Sequence, residues 1–223
     1  MATQLDLQEQ EQVDALKAFW AQYGNLITWT LTLALLAFVG YSFWQKHLRD
    51  QATQASVIYD ELQRAAGAGD ADRAGRVFGD LMDRYPRTLY ALQGGLLAAR
   101  VQSAKARSDA AAASLAWVAE HGDDEYQAVA RLRWAGLLAD GGKYDDALAQ
   151  LDQVKLPAFA ALASDRRGDV LLMKGRKDEA KVAYQAAWSG MDASVRYRAI
   201  VESKLTALAA APAASATAPG VSK

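Results

Sequence analysis

The sequence predicts an all-α chain, with one membrane-length helix ahead of a series of stacked helical hairpins. Two observations carry this. The stretch NLITWTLTLALLAFVGYSFW, residues 25–44, holds no formal charge. The polar, alanine-rich remainder repeats a pattern of small, large and glycine positions at intervals of 33 to 37 residues.

At about 1.5 Å rise per residue, the uncharged stretch makes a helix of roughly 30 Å, the thickness of a bilayer's hydrocarbon core. A cleaved signal would need a basic start, a shorter apolar region of about 7 to 15 residues and a small-x-small cleavage site. Here the leader MATQLDLQEQEQVDALK carries Asp6, Glu9, Glu11 and Asp14 against one lysine, and the run ends in the bulky GYSFWQKH. Trp20 and Tyr23 before it and Tyr41, Phe43 and Trp44 after it stand where interfacial aromatics belong. Twenty residues without a polar face argue against a soluble core helix. An uncleaved anchor over 24–44 is expected, in contact with the lipid bilayer. Lysine and arginine near the span number one before (Lys17) and two after (Lys46, Arg49), a margin of one residue that leaves the charge rule nearly silent on orientation.

The chain beyond the anchor is long enough for one soluble domain with a sizeable core. A formal net charge of -1 with interleaved acids and bases offers no field for nucleic acid and no polybasic arm for anionic lipid. Zero cysteines exclude disulfides, thiolate catalysis and cysteine-ligated zinc, and fit either side of a membrane.

Aligning RWAGLLADGGKYDDALAQLDQV from Arg133 with RGDVLLMKGRKDEAKVAYQAA from Arg167 pairs Ala135 with Gly168, Leu138 with Leu171, Gly142 with Gly175, Ala147 with Ala180 and Leu151 with Tyr184, all 33 apart. Small residues let two antiparallel helices approach, large ones fill the space between hairpins, and glycine marks the turn, as in a tetratricopeptide-like repeat. The same frame fits IYDELQRAAGAGDADRAGRVFGDLMDRYP, with Gly69 at the turn, Ala74 at the close contact, Phe78 at the large position and Pro86 after the second helix. YALQGGLLAARVQSAKARSDAAAASLAWVAEHGDDEY fits more loosely, with Ala111 and Leu115 in the contact positions and a longer turn expected around Lys105 to Asp109. About four hairpins in an α-solenoid result. ASVRYRAIVESKLTAL should cap the stack, with Val201, Leu205 and Leu208 inward and Glu202 and Lys204 outward. AAAPAASATAPGVSK has too little apolar surface to offset its ordering entropy and should be a disordered tail. The expected organisation is thus an amphipathic leader at 1–23, the anchor at 24–44, the repeat domain at 45–208 and the tail at 209–223.

Chemistry is sparse. His47 and His121 have no carboxylate or histidine at metal-ligand helical spacing. AAGAGDAD at 65–72 lacks the GK[ST] and preceding strand of a phosphate loop, and a hairpin turn explains it. In SDRRGDVL, 164–171, Ser164 or Asp165 is expected to cap a helix whose charges face water. Trp117 and Trp134 are expected to fill the stack. No enzyme activity, cofactor or metal is expected.

The leader EQEQVDALKAFWAQYG running into one span, together with DRYPRTLYALQGGLLAARV, SLAWVAEHGDDEYQAVARLRWAGLLADGGKYDDALAQLD and DRRGDVLLMKGRKDEAKVAYQAA, closely resembles the ancillary subunit of the bacterial Sec (SecYEG) translocon, over residues 9 to about 208. That resemblance implies an inner-membrane, single-pass protein with a short cytoplasmic N-terminus and a periplasmic tetratricopeptide-like domain. It implies association with the SecYEG channel and with a membrane-anchored periplasmic chaperone of the peptidyl-prolyl isomerase type, and a part in handing over translocated proteins.

Function therefore rests on shape, since the first helices of stacked hairpins line a concave face suited to partner segments. The repeat frame places Gln93, Leu96, Arg100, Leu132, Gly136, Asp165, Asp169 and Leu172 on that face. A mixed polar and apolar groove favours a specific partner, whereas a chaperone binding unfolded clients directly, the competing reading, would want a broad apolar one.

Overall fold

The uncharged stretch lies inside one long helix, α1 (Asp6–Gly67), in a computed structural model that describes residues 6–208, with side chains from residue 11 onward. The expected disordered tail at 209–223 lies outside the described residues. The chain divides into two compact units, Met1–Thr53 and Gln54–Lys223, and α1 contributes to both.

Among the described residues of the first unit most large apolar side chains are exposed: Leu33 is 71 % and Phe38 67 % exposed. The helix is long and apolar enough to cross a membrane. The three threonine hydroxyls within the stretch would be costly in hydrocarbon if left unpaired. Each is satisfied within the helix: Thr28, Thr30 and Thr32 donate from Oγ1 to the carbonyls of Gly24, Leu26 and Thr28 at 2.7, 2.8 and 2.8 Å.

In the second unit the end of α1 is followed by α2 (Ala71–Arg84), α3 (Leu89–Ala104), α4 (Ser108–His121), α5 (Asp124–Asp140), α6 (Tyr144–Asp152), α7 (Pro157–Met173), α8 (Lys177–Gly190) and α9 (Arg198–Ala207). Four antiparallel hairpins and a closing helix result, as the periodicity predicts. Ala74, Ala111, Ala147 and Ala180 are each 0 % exposed, which is why each is alanine: a larger side chain would hold its two helices apart.

All four hairpins turn in the same way. Arg107 N–H reaches the Gln102 carbonyl (2.8 Å) and Ala106 N–H that of Ser103 (3.0 Å), the paired bonds that close a helix through a left-handed residue. The same pair recurs around Gly69, Gly142 and Gly175, whose φ values are 66°, 74° and 84°. The second hairpin thus has no longer turn, contrary to the sequence-based expectation. Its three connecting residues, 105–107, match 68–70, 141–143 and 174–176. Ala106 occupies the left-handed position at φ 56°, so the missing glycine hid a turn of ordinary length.

Three apolar clusters run through this unit. Leu62, Ala74, Phe78 and Leu81 lead the first, from the end of α1 through α3. Ala111, Leu115 and Val118 lead the second, from α3 to α5. Leu151, Val170, Tyr184, Val201 and Leu205 lead the third, from α5 to α9. Trp117 joins the first two, its ring edge-on to Phe78 at 5.6 Å, and His121 stacks on the same indole at 4.5 Å. Gly94 and Gly95 let α3 approach closely: a Cβ on Gly95 would lie 2.4 Å from Val118 Cγ2, and one on Gly94 2.8 Å from Leu81 Cδ1.

Two further sequence-based expectations differ from the structure. Helix α7 starts at Pro157, whose fixed φ suits the first helical position, so neither Ser164 nor Asp165 is a cap; Asp165 lies mid-helix and 0 % exposed. Lys204 does not point outward from the closing helix. Its ammonium turns in to that buried carboxylate, because a charge fully removed from water needs a partner.

Candidate partner-binding groove

Helices α3, α5 and α7, the first helices of the last three hairpins, enclose an open cavity of about 670 Å³. Its apolar lining comes from Ala99, Leu132, Ala135, Leu162, Val170, Phe159 and Met173, and its charged lining from Arg100, Arg133, Arg166, Asp140 and Asp169. Small side chains on the inner turns keep the space open, and around Gly136 nothing lies within 4 Å of where a Cβ would be.

Of the eight residues that the repeat frame assigns to the face, the structure brings four together on this cavity: Arg100, Leu132, Gly136 and Asp169. Gln93 is half-buried and donates to the Tyr126 hydroxyl at 3.3 Å. Leu96 packs into the α3–α5 cluster. Leu172, 38 % exposed, lies on its helix away from the cavity lining. Asp165 is enclosed and presents no surface to a ligand. Reading the face from one frame passed over Arg133 and Arg166. The signal that finds them is their interval of 33 from Arg100.

Next to the groove is a polar cluster that fixes α9 to the last hairpin. Lys204 Nζ donates to Asp165 Oδ1 at 2.8 Å and to Asp169 Oδ1 at 2.7 Å. The Tyr197 hydroxyl donates to Asp165 Oδ2 at 2.8 Å, and the Tyr184 hydroxyl to Asp169 Oδ1 at 2.7 Å. Arg166 adds a bond to Asp169 Oδ2 at 3.3 Å. Two carboxylates are thereby matched by two cations. Burial alone would lower the Lys204 pKa, but the hydrogen bonds and charges of Asp165 and Asp169 outweigh it and hold the ammonium above its ordinary value. Burial, reinforced by the bond to Asp169, pushes the Tyr184 phenol far up; burial and the bond to Asp165 raise the Tyr197 phenol as well.

This arrangement has no nucleophile set against a base, and no three histidine or acidic side chains among the described residues are grouped to hold a metal. His121 Nδ1 lies 2.9 Å from the Trp117 carbonyl of its own helix, a local bond that ties the ring down at the helix end.

Comparison with known proteins gives a consistent picture. Residues 17–210 match the tetratricopeptide repeat-like domain family. A protein of Neisseria gonorrhoeae named Ancillary SecYEG translocon subunit is 30% identical over 204 residues, 91% of this chain and 98% of the relative. One of the same name from Escherichia coli is 32% identical over 179 residues, 80% and 86% of the two chains. Another, from Haemophilus influenzae, is 28% identical over 182 residues, 81% and 89%.

Proposed function

Because the chain belongs to the tetratricopeptide repeat-like family of ancillary SecYEG translocon subunits, we propose that it is a membrane-anchored interaction module working beside the Sec translocon. Residues 24–44 span the inner membrane, the leader is cytoplasmic and the repeat unit faces the periplasm. There the groove docks a folded partner, the translocon or a membrane-anchored chaperone of the peptidyl-prolyl isomerase type, and so helps pass translocated proteins onward. The observation that carries this reading is the combination in one chain of an exposed, membrane-length apolar helix and an open groove on α3, α5 and α7. A lining that mixes guanidinium and carboxylate groups with aliphatic ones suits a specific partner better than the broad apolar face that unfolded clients need.

Two experiments test it. A phosphatase reporter active only outside the cytoplasm, fused after Lys223, should be active, and a reporter fluorescent only in the cytoplasm should be dark; the reverse pattern removes the model. A photo-crosslinking residue at Gly136, where the surrounding space admits it, should capture a translocon subunit or the chaperone in living cells. A diffuse set of newly exported chains would instead mean direct client binding.

A further inference from the structure

We propose that the groove is built for an acidic segment of its partner, a peptide in which carboxylates alternate with apolar side chains. The inference rests on the groove being the docking face, and adds what it recognises. Arg100, Arg133 and Arg166 stand at successive intervals of 33 residues on α3, α5 and α7. All three are exposed and all three line the same cavity. Four positions before Arg133 and Arg166, on the same helix face, come Val129 and Leu162, which also line it. Helices α5 and α7 therefore each offer one aliphatic contact beside a guanidinium, and α3 adds a third guanidinium.

The donors of this row are largely uncommitted. Arg100 makes no ion pair among the described residues, and Arg133 has only the Leu96 carbonyl at 3.5 Å. Arg166 has a carboxylate, Asp169, but Lys204 already holds that group at 2.7 Å, closer than the 3.3 Å of the arginine. Asp140 is the other acid in the lining. A planar guanidinium carries five N–H donors in a fork that matches a carboxylate, so a row of them with free donors selects acids over bases. The aliphatic floor then selects apolar neighbours. Helices α3 and α5 touch, as do α5 and α7. Axes of packed helices lie about 8–10 Å apart, the distance covered by about three residues of extended chain. A carboxylate at every second or third position therefore meets the row in register. Nucleic acid fits less well: the whole chain carries a formal charge of -1, and Phe159 is the one aromatic in the lining on which a base could stack.

The test uses the full chain in nanodiscs of zwitterionic lipid and a fluorescent peptide alternating glutamate and leucine, followed by anisotropy. Matched peptides carry glutamine or lysine in place of glutamate. The acidic peptide should bind, and bind more weakly at high salt. Arg100→Gln with Arg133→Gln should weaken it roughly tenfold, the order expected for two partly exposed charge pairs. Lys143→Gln, on an exposed turn outside the groove, should leave binding unchanged. Both groove arginines are exposed, so helix content should be intact in the double variant, and circular dichroism checks this. Equal binding of the glutamine or lysine peptide, an unaffected double variant, equal competition by a short single-stranded DNA, or no binding at all would overturn the proposal. None of these touches the crosslinks from Gly136, which decide separately whether the groove docks a translocon partner.

Discussion

Lys204 on the closing helix reaches Asp165, 39 positions earlier in the middle of α7, with Nζ 2.8 Å from Oδ1 of a carboxylate that is 0 % exposed. The Lys204 side chain as a whole keeps a quarter of its surface exposed. This pair, with Asp169 and two tyrosines, explains how a short helix without a side-chain N-cap stays on the stack. Val201 and Leu205 supply its apolar contact, and Lys204 sets its register.

Removing one partner of that pair should cost far more than an ordinary surface pair. Breaking a fully buried pair costs about 3–5 kcal/mol, because the remaining charge is stranded. With Lys204 partly solvated, Lys204→Met is expected to lose about 2–3 kcal/mol, measured from urea midpoints of the full chain in detergent. The double variant Lys204→Met, Asp165→Asn should lose less than the sum of the two single changes, since no isolated charge remains. Strict additivity would mean that the two residues do not interact.

The same cluster predicts how stability responds to alkali. Tyr184 and Tyr197 titrate above the ordinary value of 10.0 in the folded chain, and Lys204 above 10.5. Above about pH 10 the unfolded chain therefore loses these protons first. The contribution of the three groups is complete below that pH and falls away as pH rises through the folded values. Melting temperatures should be level between pH 8 and 9.5, then drop. Tyr197→Phe should make the drop shallower, because it removes one of the linked protons. An unchanged slope in that variant would show that other groups control alkaline unfolding.

Ala106 should be improvable. A left-handed conformation costs a non-glycine residue about 1–2 kcal/mol. Glycine escapes that cost but gives up about 0.5–1 kcal/mol of chain entropy on folding. The balance for Ala106→Gly is a gain of about 0.5 kcal/mol. Gly142→Ala makes the opposite change at the equivalent turn, φ 74°, and should be destabilising. If both substitutions moved the urea midpoint the same way, the shared turn geometry would be refuted.

The repeat architecture was legible because its determinants are local and recurrent. Alanines at 74, 111, 147 and 180 and glycines at 69, 142 and 175 must be small or left-handed whatever surrounds them. The turn at Ala106 was misjudged because its glycine is absent although its hydrogen bonds are the same. Asp165 was misread because SDRRGDVL has the composition of a solvated helix face; the lysine and tyrosine that make its burial tolerable lie 39 and 32 positions away. Four of the eight residues assigned to the face line the cavity and four do not, since a frame right to within one helical turn separates Leu132 and Gly136 from their neighbours but cannot tell a buried Asp165 from an exposed Arg166. Depth within the stack is set by long-range partners, which a 33-residue period does not encode.

The close approach of α3 to its neighbours can be tested by a paired change. Gly95 faces Val118, and a Cβ there would come 2.4 Å from Val118 Cγ2 and 2.9 Å from the Phe78 ring, well inside contact distance. Val118 is 0 % exposed and Phe78 2 %, so neither can swing into solvent to make room. Helix propensity alone would favour Gly95→Ala by about 0.8–1 kcal/mol. Overpacking a tight interface costs about 1–3 kcal/mol, so the steric effect wins and the variant should be less stable. Val118→Ala, which deletes the obstructing methyl, costs its own cavity, by itself typically about 1–2 kcal/mol for two buried methyls. In the double variant the new Cβ fills part of that space. Gly95→Ala with Val118→Ala should therefore be more stable than the sum of the single effects, by about 1 kcal/mol or more, as neighbours sharing a void do. Urea midpoints of the four proteins read this coupling directly. If Gly95→Ala stabilises the chain with Val118 in place, α3 and α4 are further apart than the structure has them, and the apolar cluster around Ala111, Leu115 and Val118 would have to be redrawn.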